Sequence, residues 1–273
     1  MRDSRRFEIV RLQDGTGGIA FDEVVVEEPL EIRVNNESLG VTMRTPGNDF
    51  DLTVGLLRAE GIIVDAAEIG TIAYCPDEDQ ADFRNVVNVT LTDALRRIQS
   101  SRKTWASSGC GLCGEGTLEA IRKSVQTIVS GARVDGSVLA QLPSKMRKDQ
   151  ANFSRTGGIH AAALFEANGR MLLVREDLGR HNAVDKLLGA ALTARIDVSD
   201  AIMLVSGRLG FEIAQKAAVA AIPIVASVSA PSSLALELAA EIGMTTVGFV
   251  RDGSLNIYTH AERVINGISE HPN

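Results

Sequence analysis

Along the first 45 residues, apolar and polar positions alternate in short β-branched runs, FEIVRLQ, AFDEVVVEEPLEIRVN and ESLGVTMRT, broken by Gly, Asn and Pro. A period of two with such breaks predicts a small antiparallel sheet. The period then lengthens: GNDFDLTVGLLRAEGII puts Phe50, Val54, Leu56 and Leu57 toward one face of a helix and offers Asn48 as its N-cap. TIAYC and NVVNVTL read as two further strands on either side of the acidic loop PDEDQAD. Residues 1–95 are therefore expected to form a β-rich N-terminal region with one helix.

Residues 96–150 are expected to be a cysteine loop and helical connection, beginning with the Gly- and Cys-rich stretch SSGCGLCGEG. GTLEAIRKSVQTIV then spaces Leu118, Ile121, Val125 and Ile128 as a helix does, and the polar run up to Gly158 suggests one or two short helices. From 151 to 268 the pattern is regular. IHAAALF and MLLVRED flank the turn signal Asn168-Gly169, which predicts a hairpin. Strand and helix then alternate through a helix near 181–194, AIMLVS, FEIAQKAAVAA, IPIVASVS, SSLALELAAEIG, TTVGFVR and a last extended piece, LNIYTH. Short apolar strands separated by helices require crossover connections. This half is expected to be an α/β layered domain with a mostly parallel sheet covered on both faces.

With 273 residues, 45% of them hydrophobic and 23% charged, the chain can bury such a core. Its net charge of −7 argues against nucleic acid or an anionic membrane as partner, since both need a basic face. The charged start MRDSRRFEIV lacks the apolar run of a signal peptide, and no stretch reaches the roughly 18 apolar residues of a membrane span. The cytoplasm is the expected compartment. Three cysteines, Cys75, Cys110 and Cys113, are too few and too odd in number for a disulfide scaffold, which leaves thiol chemistry or metal binding.

Ligands of open α/β sheets sit beyond the carboxyl ends of the strands, where helix N-termini add positive potential. Here Arg175, Arg180 and His181 follow MLLV; Ser206, Gly207 and Arg208 follow AIMLV; Ser229 follows IPIVASV; Arg251, Asp252 and Gly253 follow TTVGFV. If these strands are parallel neighbours, Arg175, Arg180, Arg208 and Arg251 meet at one edge of an acidic protein. Their planar donor forks, with glycines that admit backbone N–H groups, suit phosphates. Polar residues after strands are also what any exposed loop supplies. His160, at the start of an alternating strand, and His181, at a helix entry, are candidate acid–base groups or hydrogen-bonded structural histidines.

The Cys110-x-x-Cys113 pair admits several chemistries. A structural zinc needs four ligands, and beyond this pair the chain offers the distant Cys75 and a histidine such as His160. A zinc deaminase would need an H-x-E motif, which none of the histidines begins, and a Pro before its C-x-x-C, where Gly109 stands. No metal site is expected. A thioredoxin-like dithiol would sit at a helix N-terminus, whereas Gly114, Glu115 and Gly116 hold the following helix away from the pair. A persulfide carrier takes a sulfane sulfur on one cysteine and uses the other to attack, shield or release it. Glycines on both sides favour a loop that donor and acceptor can both reach. Two incidental buried cysteines are the plain alternative.

SSGCGLCG, TGGIHAAALF, REDLGRHNAVDK, SGRLGFEIAQKA, IPIVASVSAPSSLALELA and GFVRDGSLNIYTH, in this order, resemble the formate dehydrogenase accessory sulfurtransferase family, FdhD, from about residue 100 to 260. The resemblance implies a cytidine deaminase-like fold for the layered half, without the deaminase zinc residues. It implies a cytoplasmic sulfurtransferase that works through a cysteine persulfide and receives its sulfur from a cysteine desulfurase. The acceptor it implies is the bis-molybdopterin guanine dinucleotide form of the molybdenum cofactor, before that cofactor enters formate dehydrogenase. A homodimer is implied as well. By position, Cys110 matches the persulfide cysteine and Cys113 its motif partner, while Phe249, Val250, Arg251, Asp252, Gly253 and Ser254 match the cofactor-binding segment. Asp177, Asp185 and Ser229 then become candidates to hydrogen-bond guanine or ribose. The rival readings are a cofactor-binding chaperone with idle thiols and a zinc-dependent deaminase-like enzyme.

Overall fold

The computed structural model describes residues 3–75, 84–93 and 125–265. The N-terminal strands divide into two sheets where one was expected. Among the described residues β1 (Ser4–Gln13) and β2 (Thr16–Val25) pair only with each other. Their turn, Asp14-Gly15, has φ of 52° and 79°, the left-handed geometry that two-residue hairpin loops favour. β3 (Glu28–Val34), β4 (Glu37–Arg44), β5 (Ile69–Tyr74) and β6 (Val86–Leu91) form the other sheet in the order β4-β3-β6-β5. β3 and β6 are parallel, so this sheet is mixed and not purely antiparallel. The cause is α1 (Asp49–Ala59), which carries the chain across the sheet and returns it on the far side of β3.

Helix α1 buries Leu52, Val54, Leu56 and Leu57 against Leu30, Ile32, Val87 and Val89 of the sheet. Phe50 departs from the expected face: it is 37% exposed, with its ring 4.8 Å from that of Tyr74. Asn48 does stand at the cap position, but in the left-handed region (φ 54°) and without a side-chain cap bond.

β7 (Val134–Asp135) leads into α2 (Gly136–Lys148), whose N-cap Asp135 accepts the Ser137 N–H at 2.7 Å. α3 (Ala151–Thr156) follows and ends at Gly157, φ 66°. Of the helix expected around 117–130, the described residues from Val125 on are not helical. The Ile128 N–H donates instead to the Ile242 carbonyl at 2.7 Å, so a distant partner satisfies the backbone group that a helical turn would have used. Leu118 and Ile121 lie outside the described residues.

The C-terminal sheet is the larger one. β8 (His160–Phe165), β9 (Met171–Asp177), β10 (Ile202–Val205), β11 (Ile224–Ser227), β12 (Thr245–Arg251) and β13 (Ser254–Thr259) lie in the order β13-β12-β11-β10-β8-β9. β10, β11 and β12 are parallel neighbours, while β8 and β13 run against them. β9, antiparallel to β8, points the same way as β10, so four of the six strands share one direction. Alternation along the strands sorts their side chains into two cores. Ala162, Leu164, Met203, Val205 and Val225 pack with α4 (Arg180–Thr193), α5 (Phe211–Val219) and α6 (Ser233–Ile242). Ala161, Ala163, Phe165, Leu204 and Ala226 pack with Leu139, Leu142 and Met146 of α2. Residues 136–148 are thus a structural layer of the sheet as well as a connection. β14 (Val264–Ile265) closes the order by pairing with β7. No helix among the described residues is long and apolar enough to cross a membrane.

The two halves meet through α1 and α4. At their crossing a Cβ on Gly55 would lie within 2.8 Å of Asp185 Cα and closer still to the Asp185 carbonyl. A Cβ on Gly189 would reach within 2.6 Å of Gly55 N and closer still to the Asp51 carbonyl. Backbone touches backbone, so neither position accepts a side chain. Arg44, fully buried, ties the end of β4 to α1 through Asp49, with Nε–Oδ1 and Nη2–Oδ2 each at 3.1 Å. A paired buried charge of this kind is costly to break and gives the joint a fixed register.

Candidate functional site

Because β9, β10, β11 and β12 point the same way, their carboxyl ends fall on one edge of the sheet, and the antiparallel β8 and β13 begin there. That edge gathers His160, Arg180, His181, Ser206, Gly207, Arg208, Ser229 and the turn from Phe249 to Ser254. Two helices start at it, α4 after Gly179 and α5 after Gly210, and neither has a side-chain cap. Their first N–H groups are therefore available to an anion. The third, α6, is closed by Ser232, which accepts the Ala235 N–H.

Among the described residues the guanidiniums of Arg180, Arg208 and Arg251 have no hydrogen-bond or ion-pair partner, and Arg180 Nε is buried. Several other arginines are engaged: Arg33 with Glu31, Arg44 with Glu28 and Asp49, Arg155 with Asp3, Arg170 with Glu166. An acidic chain that leaves three guanidiniums unpaired on one edge has a local field for anions. The edge is close-packed at its centre. A Cβ at Gly207 would come within 3.3 Å of His160 Nδ1 and 3.5 Å of Arg180 Cδ. The Ser227 hydroxyl donates to the Gly207 carbonyl at 2.7 Å, and the Phe249 N–H to the Ser229 carbonyl at 3.0 Å, tying adjacent loops together. Phe249 holds φ 52° and is 38% exposed.

The turn that presents Arg180 and His181 is held from the N-terminal region. The buried Asp177 carboxylate accepts the N–H groups of Thr45 (3.2 Å) and Gly179 (2.8 Å) and the Asn182 amide (3.1 Å), and pairs with Lys186 at 2.7 Å. Thr45 answers with its own hydroxyl, accepting the Leu178 N–H at 3.1 Å, and its carbonyl takes Lys186 Nζ at 2.8 Å. Asn182 also donates to the Met43 carbonyl at 2.7 Å. The end of β4 thus braces the β9–α4 turn.

His160 Nδ1 lies 3.5 Å from the Ser206 hydroxyl, which accepts the Ala161 N–H at 2.9 Å. Burial and the nearby Arg180 push its imidazole below the usual range, with Asp177 pulling the other way. His181 Nε2 lies 3.1 Å from Glu212 Oε2. Burial is the largest influence here too, pushing His181 down to about 4; Glu212 opposes it, and Arg180, Lys216 and His160 add to it. Near neutral pH the pair is a neutral imidazole beside a carboxylate. As pH falls from 6.5 toward about 4, the unfolded chain binds a proton that folded His181 refuses, so stability is lost over that window. His181→Asn is expected to flatten this part of the stability–pH curve, measured by urea unfolding; a curve parallel to that of the unmodified protein would refute the assignment.

Two groups of expected residues are placed differently. Arg175 sits inside β9 and points to α1, where Asp51 takes its Nε at 2.9 Å and Nη2 at 2.8 Å; it joins the two halves and is not on the arginine edge. Asp177 and Asp185 are fully buried, the first in the brace above and the second paired with Lys216 at 2.7 Å, so neither carboxylate faces a guanine or ribose. Val250 is a core residue, whereas Arg251, Asp252, Gly253 and Ser254 are exposed at the β12–β13 turn. Cys110 and Cys113 lie outside the described residues. Among the described residues no group of three or more His, Cys, Asp or Glu is arranged to hold a metal ion. Glu212 and Thr45 are the residues that sequence reasoning missed. Glu212 carries the signal of any acidic residue in a first helical turn, and Thr45 carries none.

Fold and site together define a two-part α/β protein whose layered half presents an arginine-bearing strand-end edge. The FdhD/NarQ family model matches residues 25–265, and the chain belongs to that family. The sulfur carrier protein FdhD of Streptomyces coelicolor is 46% identical over 271 residues, 96% of this chain and 96% of that protein. The sulfur carrier protein FdhD of Sulfolobus acidocaldarius is 42% identical over 261 residues, 95% of this chain and 98% of that one. A crystal structure from Desulfotalea psychrophila, provisionally described as a formate dehydrogenase accessory protein, has a TM-score of 0.78 at 25% identity, covering 97% of this chain and all of that one.

Proposed function

We infer that this protein is a sulfur carrier of formate dehydrogenase maturation, a cytoplasmic homodimer whose layered half is cytidine deaminase-like. Its near-full-length likeness to proteins named sulfur carrier protein FdhD carries the reading. The Cys110 thiolate attacks the terminal sulfur of a persulfide on a cysteine desulfurase; an S–S bond forms on Cys110 and the donor cysteine leaves as a thiolate. Cys113 then attacks the Cys110 sulfur, the terminal sulfur departs as sulfide, and a Cys110–Cys113 disulfide remains. Two thiols are oxidised as one sulfane sulfur is reduced, so the electrons balance within the pair. The acceptor is the bis-molybdopterin guanine dinucleotide form of the molybdenum cofactor, bound as substrate at the strand-end edge. Arg180, Arg208 and Arg251, unpaired among the described residues, and the two helix N-termini without a side-chain cap support that placement, because the cofactor brings pyrophosphates.

Mass spectrometry after incubation with a desulfurase and labelled cysteine tests the thiol step. The unmodified protein and Cys113→Ala are expected to gain one sulfur on the Cys110 peptide, and Cys110→Ala to gain none there. Equal labelling of Cys110→Ala would exclude Cys110 as acceptor. Full formate dehydrogenase maturation by a protein with both cysteines replaced by Ala would favour the chaperone instead.

A further inference from the structure

The hairpin of β1 and β2 has a face to which the sulfur-carrier chemistry assigns no task. Its register puts Arg6, Glu8, Val10 and Leu12 of β1 on the same side as Gly17, Ile19, Phe21 and Glu23 of β2, with Val10 directly opposite Ile19. Side-chain contacts agree. The Arg6 guanidinium lies 4.0 Å from the centre of the Phe21 ring, and a Cβ on Gly17 would meet Leu12 Cδ2 at 2.9 Å and Val10 Cγ1 at 3.8 Å. Leu12, Ile19, Val10 and Phe21 thus form one apolar strip, and they are 76%, 75%, 71% and 51% exposed. The hairpin is tied to the body at its open end, where Arg155 donates to Asp3 at 2.7 Å and to the Ser4 hydroxyl at 3.4 Å. A two-stranded ribbon whose apolar face is left in water is marginally stable at best.

We propose that this strip is covered by the same strip of a second copy of the chain, two hairpins stacking face to face as a four-stranded sandwich about a two-fold axis at Val10 and Ile19. It rests on the homodimer reading above and gives that dimer its interface. The ribbon needs its cover whenever the chain is folded, which suits a permanent partner of the same kind better than a visiting protein. The area is sufficient. The four residues expose on the order of 500 Å², and with their rim they approach the roughly 800 Å² per partner that a stable complex buries. The charges fit as well. A two-fold axis at Val10 runs the hairpins in opposite directions and sets Arg6 of each copy level with Asp14 of the other, four residues or about 13 Å from the axis.

Sedimentation of the full chain over a range of concentrations tests the interface, with circular dichroism to confirm that each variant is folded. The unmodified protein is expected to be a dimer. Val10→Lys and Val10→Glu each set like charges against one another at the axis, so each alone is expected to be a monomer. Mixed in equal amounts they are expected to dimerise, because the axis then joins opposite charges. Ile19→Thr keeps the β-branched shape of a strand residue and is expected to weaken the dimer roughly a hundredfold, since each dimer loses two apolar contacts. Phe7→Thr changes the opposite face and should leave the dissociation constant within about threefold. A dimer that survives Val10→Lys, a mixture of the two charged variants that stays monomeric, or equal weakening by Phe7→Thr and Ile19→Thr would each overturn this interface while leaving the homodimer standing. An unmodified protein that is a monomer at every concentration overturns both.

Discussion

Gly55→Ala is expected to destabilise the protein by about 3 kcal/mol or more, lowering the melting temperature by roughly 6–12 °C. The added methyl would meet Asp185 backbone atoms, 2.8 Å away at Cα and nearer at the carbonyl, and a helix backbone cannot swing aside as a side chain can. Gly189→Ala attacks the same crossing from the other helix and is expected to cost about as much. The double variant is expected to lose less than the sum, because one separation of α1 from α4 relieves both clashes. Gly18→Ala is the control: nothing lies within 4 Å of its Cβ, so its effect should stay within about 0.5 kcal/mol. Melting curves of the three single variants decide the matter. A Gly55→Ala protein as stable as Gly18→Ala would show that α1 and α4 do not cross this closely.

Asp177→Ala is expected to cost about 3–5 kcal/mol and to loosen ligand binding at the edge as well. It strands Lys186, 1% exposed, as an unpaired buried charge and removes the acceptor of the Thr45, Gly179 and Asn182 donors. The turn that carries Arg180 and His181 loses its brace, so pyrophosphate affinity should fall in the folded fraction too. A double variant, Asp177→Leu with Lys186→Met, removes both charges and is expected to recover part of the stability, because the stranded ammonium is gone. It should not recover the affinity, since the three donors remain without their acceptor. Chemical unfolding and calorimetry separate the two effects. An Asp177→Ala protein that unfolds and binds pyrophosphate like the unmodified one would remove Asp177 from this supporting role.

Much of the layered half is written in local pattern. The runs IHAAALF, AIMLVS and IPIVASVS alternate between two buried faces, and each observed strand lies within its predicted run. The crossover from β9 through α4 to β10 obliges those two strands to be parallel even though β8 lies between them. That is why Arg180, Arg208 and Arg251 reach one edge. The family is legible too, since its long motifs stand in order along the chain.

Periodicity and crossover connections act between near neighbours in the chain, and they determined the strands, the helices that cover them and the edge where Arg180, Arg208 and Arg251 gather. Partner choice acts through space and only the tertiary structure decided it. Arg175 looks like its fellow arginines in sequence, yet Asp51, 124 residues away, claims it for the joint between the halves. Thr45 and Asp177 find each other across 132 positions, and Glu212 meets His181 only because α4 and α5 start side by side. The four-stranded N-terminal sheet is mixed because α1 crosses it, burying its apolar face there and setting Gly55 against Gly189.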